Sequence, residues 1–147
     1  MILLIKTATN KDCKILAELA INMWTHCSVD ELEADFSEIV NNDTSVCFIK
    51  FSDKLPIGFA QCSLRNDYVE GTISSPVGYL EGVFITNKYR NKGYGKQLVS
   101  CCEKWAKNMG CSEFASDCEI TNTNSLKFHL SMGFNEENRI ICFRKDI

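Results

Sequence analysis

Leu80 to Met109 reads LEGVFITNKYRNKGYGKQLVSCCEKWAKNM, and the fold turns on how its three parts join. Leu80, Val83, Phe84 and Ile85 form an apolar run, which predicts a buried strand. A polar turn follows, and Arg90-x-x-Gly93-x-Gly95 then opens directly into a second apolar pattern. Leu98, Val99, Cys102, Trp105, Ala106 and Met109 fall on one stripe of an amphipathic helix. Gly93 and Gly95 let the backbone turn tightly and approach a ligand with no side chain between. The first N–H groups of a helix have no intrahelical partner and lie at the positive end of its dipole, so a phosphate fits there. Arg90, Lys92 and Lys96 add positive charge. The segment Arg90, Asn91, Lys92, Gly93, Tyr94, Gly95, Lys96 is therefore read as a pyrophosphate cradle. It matches neither the dinucleotide fingerprint G-x-G-x-x-G nor the P-loop G-x-x-x-x-G-K-[ST].

Upstream of this unit, Met1 to Lys6 reads as a strand. Thr9-x-x-Asp12 and Ser28-x-x-Glu31 are capping boxes, each followed by an apolar helical stripe: Ile15, Leu16, Leu19, Ala20 and Met23, then Leu32, Phe36, Ile39 and Val40. Asp30, Glu31, Glu33, Asp35 and Glu38 give the second helix an acidic face, which is either a solvated surface or a rim attractive to amines. Thr44–Phe51 and Pro56–Arg65 read as an antiparallel hairpin about Ser52-Asp53-Lys54. Asn66–Gly78 is a loop long enough to be functional. Downstream, Ser112–Ser116 reads as a strand and Asn124–Met132 as a helix stopped by Gly133. Two strands, from Phe134 and from Ile140 to Lys145, are expected to close the chain. The order of elements predicts one α/β domain over residues 1–147, with a mixed central sheet flanked by helices.

Composition is that of a globular protein, with 45% hydrophobic and 24% charged residues. The N-terminus lacks the pattern of a signal peptide and no apolar run reaches membrane-span length, so a cytoplasmic protein without membrane contact is expected. Nine cysteines, Cys13, Cys27, Cys47, Cys62, Cys101, Cys102, Cys111, Cys118 and Cys142, include no C-x-x-C pair and mostly lie in apolar runs. They read as structural thiols of a reducing compartment. Two histidines with no ligand cluster argue against a metal. A net charge of −3 argues against a nucleic-acid partner and suits a cationic one.

The Arg90-x-x-Gly93-x-Gly95 turn between strand and helix resembles the acyl-CoA signature of the GCN5-related N-acetyltransferases. Asn124-Ser125 through His129-Leu130-Ser131-Met132-Gly133-Phe134 resembles that family's other recurrent segment. Asp67-Tyr68-Val69, Ser75-Pro76-Val77-Gly78-Tyr79-Leu80-Glu81-Gly82, Trp105-Ala106-Lys107 and Glu113-Phe114-Ala115-Ser116-Asp117 are similar to the bacterial aminoglycoside 6'-N-acetyltransferases. This likeness runs from Trp24 to Arg144.

The resemblance implies a homodimeric enzyme that moves an acetyl group from acetyl-CoA to the 6'-amine of an aminoglycoside, conferring resistance. Pyrophosphate would rest on Asn91 to Lys96, pantetheine would lie as an added strand along Val83, Phe84 and Ile85, and Asn122 would sit near the pantetheine arm. The aminoglycoside would occupy an acidic pocket of Trp24, Tyr68, Glu81 and Asp117. Where the family has an acidic residue after Gly133-Phe134, this chain has Asn138.

The chemistry asks for such parts. An ammonium must lose a proton before it attacks a thioester, so Glu81 and Asp117 are candidate bases. The oxyanion wants a backbone N–H, for which Val83 is the candidate. No metal is required. By pattern alone Trp24 is a core residue, and Tyr68, on a loop, a contact residue. His129 stands where many relatives have a tyrosine acid, and it is read here as contributing position and packing. The alternative functions are acetyl transfer to a polyamine or other small amine, and a non-catalytic acyl-CoA-binding regulator.

Overall fold

The apolar run at the head of the quoted stretch is the inner end of strand β4 (Val77–Ile85), which begins three residues earlier than its hydrophobic pattern. In the computed structural model, which describes residues 1–147, β4 joins β1 (Leu3–Thr7), β2 (Ser45–Ser52), β3 (Leu55–Arg65) and β5 (Phe114–Ser116) in one sheet. Strand order follows chain order, antiparallel from β1 to β4, with β5 parallel to β4. A parallel neighbour requires a crossover, and helix α3 (Tyr94–Asn108) supplies it. The mixed α/β sheet expected from the sequence is the one observed.

Helices α1 (Cys13–Ala20) and α2 (Val29–Val40) cover one face of the sheet and α3 covers the other. The first layer packs Leu16, Leu32 and Phe36 against Ile49 and Phe59. Phe36 and Phe59 meet edge to face at 5.8 Å, and burial of each such side chain contributes about 1.5–3 kcal/mol. The second layer packs Leu98, Val99 and Cys102 of α3 against Ile57, Ala60, Cys62 and Leu80. Helix α4 (Thr123–Ser131) follows β5.

Both capping boxes leave their mark. The Ser28 hydroxyl accepts the Glu31 N–H at 3.1 Å, and the Glu31 carboxylate accepts the Ser28 N–H at 2.9 Å. Ahead of α1, in a 3₁₀ turn, the Asp12 carboxylate accepts the Thr9 N–H at 2.8 Å and pairs with Lys6 at 2.9 Å. Burial alone would raise the Asp12 pKa, but the Thr9 N–H and the Lys6 ammonium outweigh it and hold the carboxyl below its usual range.

Two irregularities of register shape the sheet. In β3, Pro56 pairs with Phe51 and Gly58 with Lys50, which leaves Ile57 over and turns it toward the α3 layer. In β4, Gly82 pairs with Gln61 and Leu80 with Cys62, which leaves Glu81 as the extra residue of a bulge.

Three expectations need correction. The C-terminal strands do not form: residues 135–147 hold no regular structure, and Ile140, Ile141 and Phe143 are exposed. Local apolar pattern suits a strand, but a strand persists only where a neighbour takes up its backbone groups, and no strand of this chain pairs with the segment. Met109 lies beyond the end of α3 and is 40% exposed, because the helix stops at Asn108 and its stripe ends effectively at Ala106. Helix α1 ends at Ala20, so Met23 sits in the following turn.

The long loop, now 66–76, is tied down. The Glu113 carboxylate accepts the N–H groups of Ile73 (2.9 Å) and Ser74 (2.8 Å) and the Ser74 hydroxyl. Val69 tucks under it against Val77 and Tyr79.

Candidate active site

The bulge at Glu81 parts β4 from β5. The two strands pair only from Gly78 to Leu80, against Phe114 to Ser116, and beyond that β4 runs on alone along that edge. Backbone direction along the free part follows from its ends. The Thr86 N–H bonds the Ile57 carbonyl on β3 at 2.9 Å, so by alternation Val83 and Ile85 direct their backbone groups away from β3. Ile85 bears this out, because its carbonyl accepts from Arg90 Nε at 2.7 Å. An extended chain laid against Val83–Ile85 would find the Val83 N–H and carbonyl and the Ile85 N–H without a strand partner, as an added strand does, the Ile85 carbonyl being taken by Arg90.

At the mouth of this edge lies the Arg90–Lys96 turn. Asn91 and Gly93 both take positive φ, 60° and 80°, and together they bend the chain into α3. A Cβ on Gly93 would meet no protein atom within 4 Å, so the space beside it is open. The first backbone bond of α3 runs from the Gln97 N–H to the Gly93 carbonyl at 3.1 Å, which leaves the N–H groups of Tyr94, Gly95 and Lys96 free. Arg90 is partly engaged, through the Ile85 carbonyl. Asn122 is also engaged: it is the N-cap of α4, its Oδ1 accepting the Ser125 N–H at 3.1 Å.

The carboxylates gather on the α1–α2 side of the sheet. Glu81 accepts from the Ser63 hydroxyl at 2.6 Å and from Arg65, whose Nη2 reaches both carboxylate oxygens at 3.0 and 2.9 Å. The Arg65 guanidinium also lies 3.4 Å from the centre of the Tyr79 ring. The Tyr79 hydroxyl in turn donates to Asp117. Burial, and then the Asp117 carboxylate, push the Tyr79 phenol well above its ordinary pKa, so it remains a donor. Glu81 and Asp117 thus belong to one chain of contacts running through Tyr79 and Arg65.

Next to Glu81, Gly82 carries no side chain, and a Cβ there would come within 2.9 Å of Met23 and 3.0 Å of Trp24. Trp24 packs on Phe36 and Phe59 at 6.4 and 6.1 Å and lines an open cavity of about 340 Å³ with Asp35, Phe36 and Gln61. Trp24 thus packs on the core as its pattern predicts and also faces this cavity, whose lining does not include Tyr68, Glu81 or Asp117. Tyr68 is 81% exposed at the loop. Its hydroxyl donates to Glu70 at 2.7 Å, and Asn138 Nδ2 donates to the other Glu70 oxygen at 2.8 Å. Those two bonds, Asn138 first, hold the Glu70 carboxyl below its usual range.

Sequence reasoning missed Ser63, Arg65, Tyr79 and Glu70 as members of this cluster. The available signal was spacing: Ser63 and Arg65 alternate on β3 as Tyr79 and Glu81 do on β4. What no local pattern supplies is the register that sets one pair beside the other.

His129 is held from two sides. Its Nδ1 lies 2.7 Å from the Ser125 carbonyl, which can only accept, so that nitrogen carries the proton. Its Nε2 lies 2.9 Å from the Ser116 hydroxyl on β5, and its ring packs on Phe134 at 5.3 Å. No group of three or more His, Cys, Asp or Glu side chains is arranged to hold a metal ion, and all nine cysteines are free thiols.

Comparison with known proteins agrees with this geometry. Residues 9–134 match the model of the Acetyltransferase (GNAT) family. The chain is 43% identical over 123 residues to the aminoglycoside N(6')-acetyltransferase type 1 of Salmonella typhimurium, covering 84% of this chain and 85% of that protein. Among solved structures it resembles AAC(6')-Iy in complex with the bisubstrate analog CoA-S-monomethyl-acetylneamine, with a TM-score of 0.95, 37% identity and 100% coverage of both chains. It also resembles the apo aminoglycoside 6'-N-acetyltransferase AAC(6')-IG from Acinetobacter haemolyticus, with a TM-score of 0.93, 33% identity and coverage of 98% and 99%.

Proposed function

The chain belongs to the GNAT acetyltransferases and, within them, to the aminoglycoside 6'-N-acetyltransferases, and we propose that its free strand edge and its carboxylate face are the donor and acceptor halves of one site. The enzyme transfers the acetyl group of acetyl-CoA to the 6'-amino group of an aminoglycoside. One observation carries the division of labour: the bulge at Glu81 opens a backbone edge on one side of β4 and turns a carboxylate toward the other.

On the donor side, pyrophosphate rests on the free N–H groups of Tyr94, Gly95 and Lys96, at the positive end of α3. Pantetheine runs along Val83–Ile85 as an added strand, which brings the thioester carbonyl toward the Val83 N–H. On the acceptor side, the 6'-ammonium gives a proton to Glu81 or Asp117, directly or through water. The freed nitrogen lone pair attacks the thioester carbon, the Val83 N–H stabilises the resulting oxyanion, and the C–S bond breaks with its electrons on sulfur, while the nitrogen gives up its second proton to solvent or to the departing thiolate, leaving a neutral amide and coenzyme A. A thiol pKa of about 8.5 makes the thiolate a tolerable leaving group near neutral pH. His129, already bonded at both ring nitrogens, then serves to hold α4 against β5 rather than to donate a proton. The amide product has lost a positive charge, which is how acetylation defeats a cationic drug. No step calls for a metal ion.

Tyr68, Glu70 and Asn138 form the outer rim of the acceptor side, with Glu70 supplying the negative charge that Asn138 lacks. Residues 1–147 then make one N-acetyltransferase domain of a cytoplasmic homodimer. Nine free thiols suit a reducing compartment, and the exposed Ile140, Ile141 and Phe143 give a second copy an apolar surface to cover.

The test is coenzyme A release from acetyl-CoA with paired acceptors. Kanamycin-like compounds bearing a 6'-amine should be turned over, and analogues with a 6'-hydroxyl should not. Equal turnover of the pair, or turnover of simple polyamines alone, would overturn the assignment.

A further inference from the structure

The acceptor carboxylate is already occupied by a cation of the protein's own. Arg65 Nη2 reaches both oxygens of Glu81, Nε approaches Oε1 at 3.2 Å, and the guanidinium plane covers the Tyr79 ring at 3.4 Å. These are the contacts that a cationic amine entering the same face would seek: a carboxylate to pair with and an aromatic face to lie on. The Arg65 side chain remains 42% accessible while that of Glu81 is 24% accessible, so arginine is the member free to swing outward. Ser63 bonds Glu81 separately, its hydroxyl donating to the carboxylate at 2.6 Å.

Resting on the acceptor assignment above, we infer that Arg65 is a specificity-determining residue, an internal stand-in whose guanidinium must be displaced from Glu81 and Tyr79 by the acceptor's ammonium. Displacement exchanges one ion pair for another and so yields little net energy. An acceptor with a single ammonium gains almost nothing from the exchange. A polycation can lose the first pairing and still recover binding elsewhere on the acidic rim, at Asp117 or Glu70. Arg65 therefore filters acceptors by charge number, rejecting small monoamines while admitting aminoglycosides. An arginine that merely oriented Glu81 would act in the opposite sense, since its loss would loosen the carboxylate and slow turnover.

Steady-state kinetics on Arg65→Gln and Arg65→Lys separate these roles. Acceptors are kanamycin, with several ammonium groups, and 6-amino-6-deoxyglucose, with one. Arg65→Gln should lower the acceptor KM roughly two- to fivefold, the range of a partly exposed ion pair. The gain should be larger for the monoamine and should appear in the acceptor KM, and the KM for acetyl-CoA should not move. Arg65→Lys should restore wild-type discrimination in part, as a cation that pairs less well. A rise in acceptor KM, or a fall in kcat of about tenfold or more with KM unchanged, would overturn the inference and make Arg65 an orienting residue. Wild-type enzyme that acetylates neither amine would instead sink the functional assignment on which it rests. Thermal melts confirm that the variants fold.

Discussion

The two halves of the proposed site are built from different materials. The donor half is made of backbone: the free edge of β4, the positive-φ pair Asn91 and Gly93, and the three open N–H groups at the start of α3. The acceptor half is made of side chains drawn from separate stretches: Trp24 after α1, Ser63 and Arg65 on β3, Tyr79 and Glu81 on β4, Asp117 after β5. Backbone geometry is dictated by neighbours in sequence, whereas a side-chain cluster depends on register between strands. The donor half should accordingly be sensitive to conformation and the acceptor half to charge.

Charge at Glu81 offers the sharpest way to break this comparison. Glu81→Gln keeps the shape, removes the candidate base and releases Arg65. It should lower kcat/KM for kanamycin by about 10²–10⁴, the range of a lost general base. A variant within about threefold of wild type would move the base to Asp117 and leave Glu81 as scaffolding. His129 lies on the border of the two halves and should matter less. His129→Phe keeps the packing against Phe134 but loses the bonds to Ser125 and Ser116, and kcat should fall by less than about a hundredfold. A well-folded variant slowed on the order of a thousandfold would make the imidazole a proton donor to the departing thiolate.

The smallest effect belongs to a residue outside both halves. Asp12 is held below its ordinary pKa, so its stabilising contribution is complete above the usual carboxylate range and is lost as pH falls through its folded value. Asp12→Asn should cost about 1 kcal/mol near pH 7, read as a lower melting temperature, and the gap to wild type should close at acid pH. Kinetic constants should be unchanged. A gap that persists at low pH would show that packing, not charge, is what Asp12 contributes.

This contrast also explains what was legible in the sequence. Strand, turn and helix around Arg90–Lys96 could be read directly, because glycine placement and helix start are local properties. Glu81 and Asp117 could be singled out as candidates, but not the tie between them, because Tyr79 and Arg65 meet them only through the register of β3 with β4. The bulge that frees the β4 edge was equally invisible, since Glu81 looks like any polar residue in an alternating run. At the C-terminus the reverse error arose: Ile140 to Lys145 has the pattern of a strand, but pattern does not supply a neighbour. Asn138 leaves the family's acidic contact in doubt, and the carboxylate it bonds, Glu70, comes from the 66–76 loop, a partner that no local pattern around Asn138 indicates.

The central claim is that donor and acceptor binding are separable along β4. Calorimetric titration of acetyl-CoA and of kanamycin into Gly93→Val and Glu81→Gln tests it directly. Valine at 93 has room for its Cβ in the protein but must bear a φ of 80°, a strain of about 1–2 kcal/mol, and its side chain projects into the open space beside the turn, where the proposed pyrophosphate would lie. Gly93→Val should weaken acetyl-CoA about tenfold or more, as that strain and crowding imply, and leave kanamycin binding intact. Glu81→Gln should do the converse, keeping acetyl-CoA affinity while changing that for kanamycin. If either variant loses both ligands together, the two halves are one structural unit and the account fails.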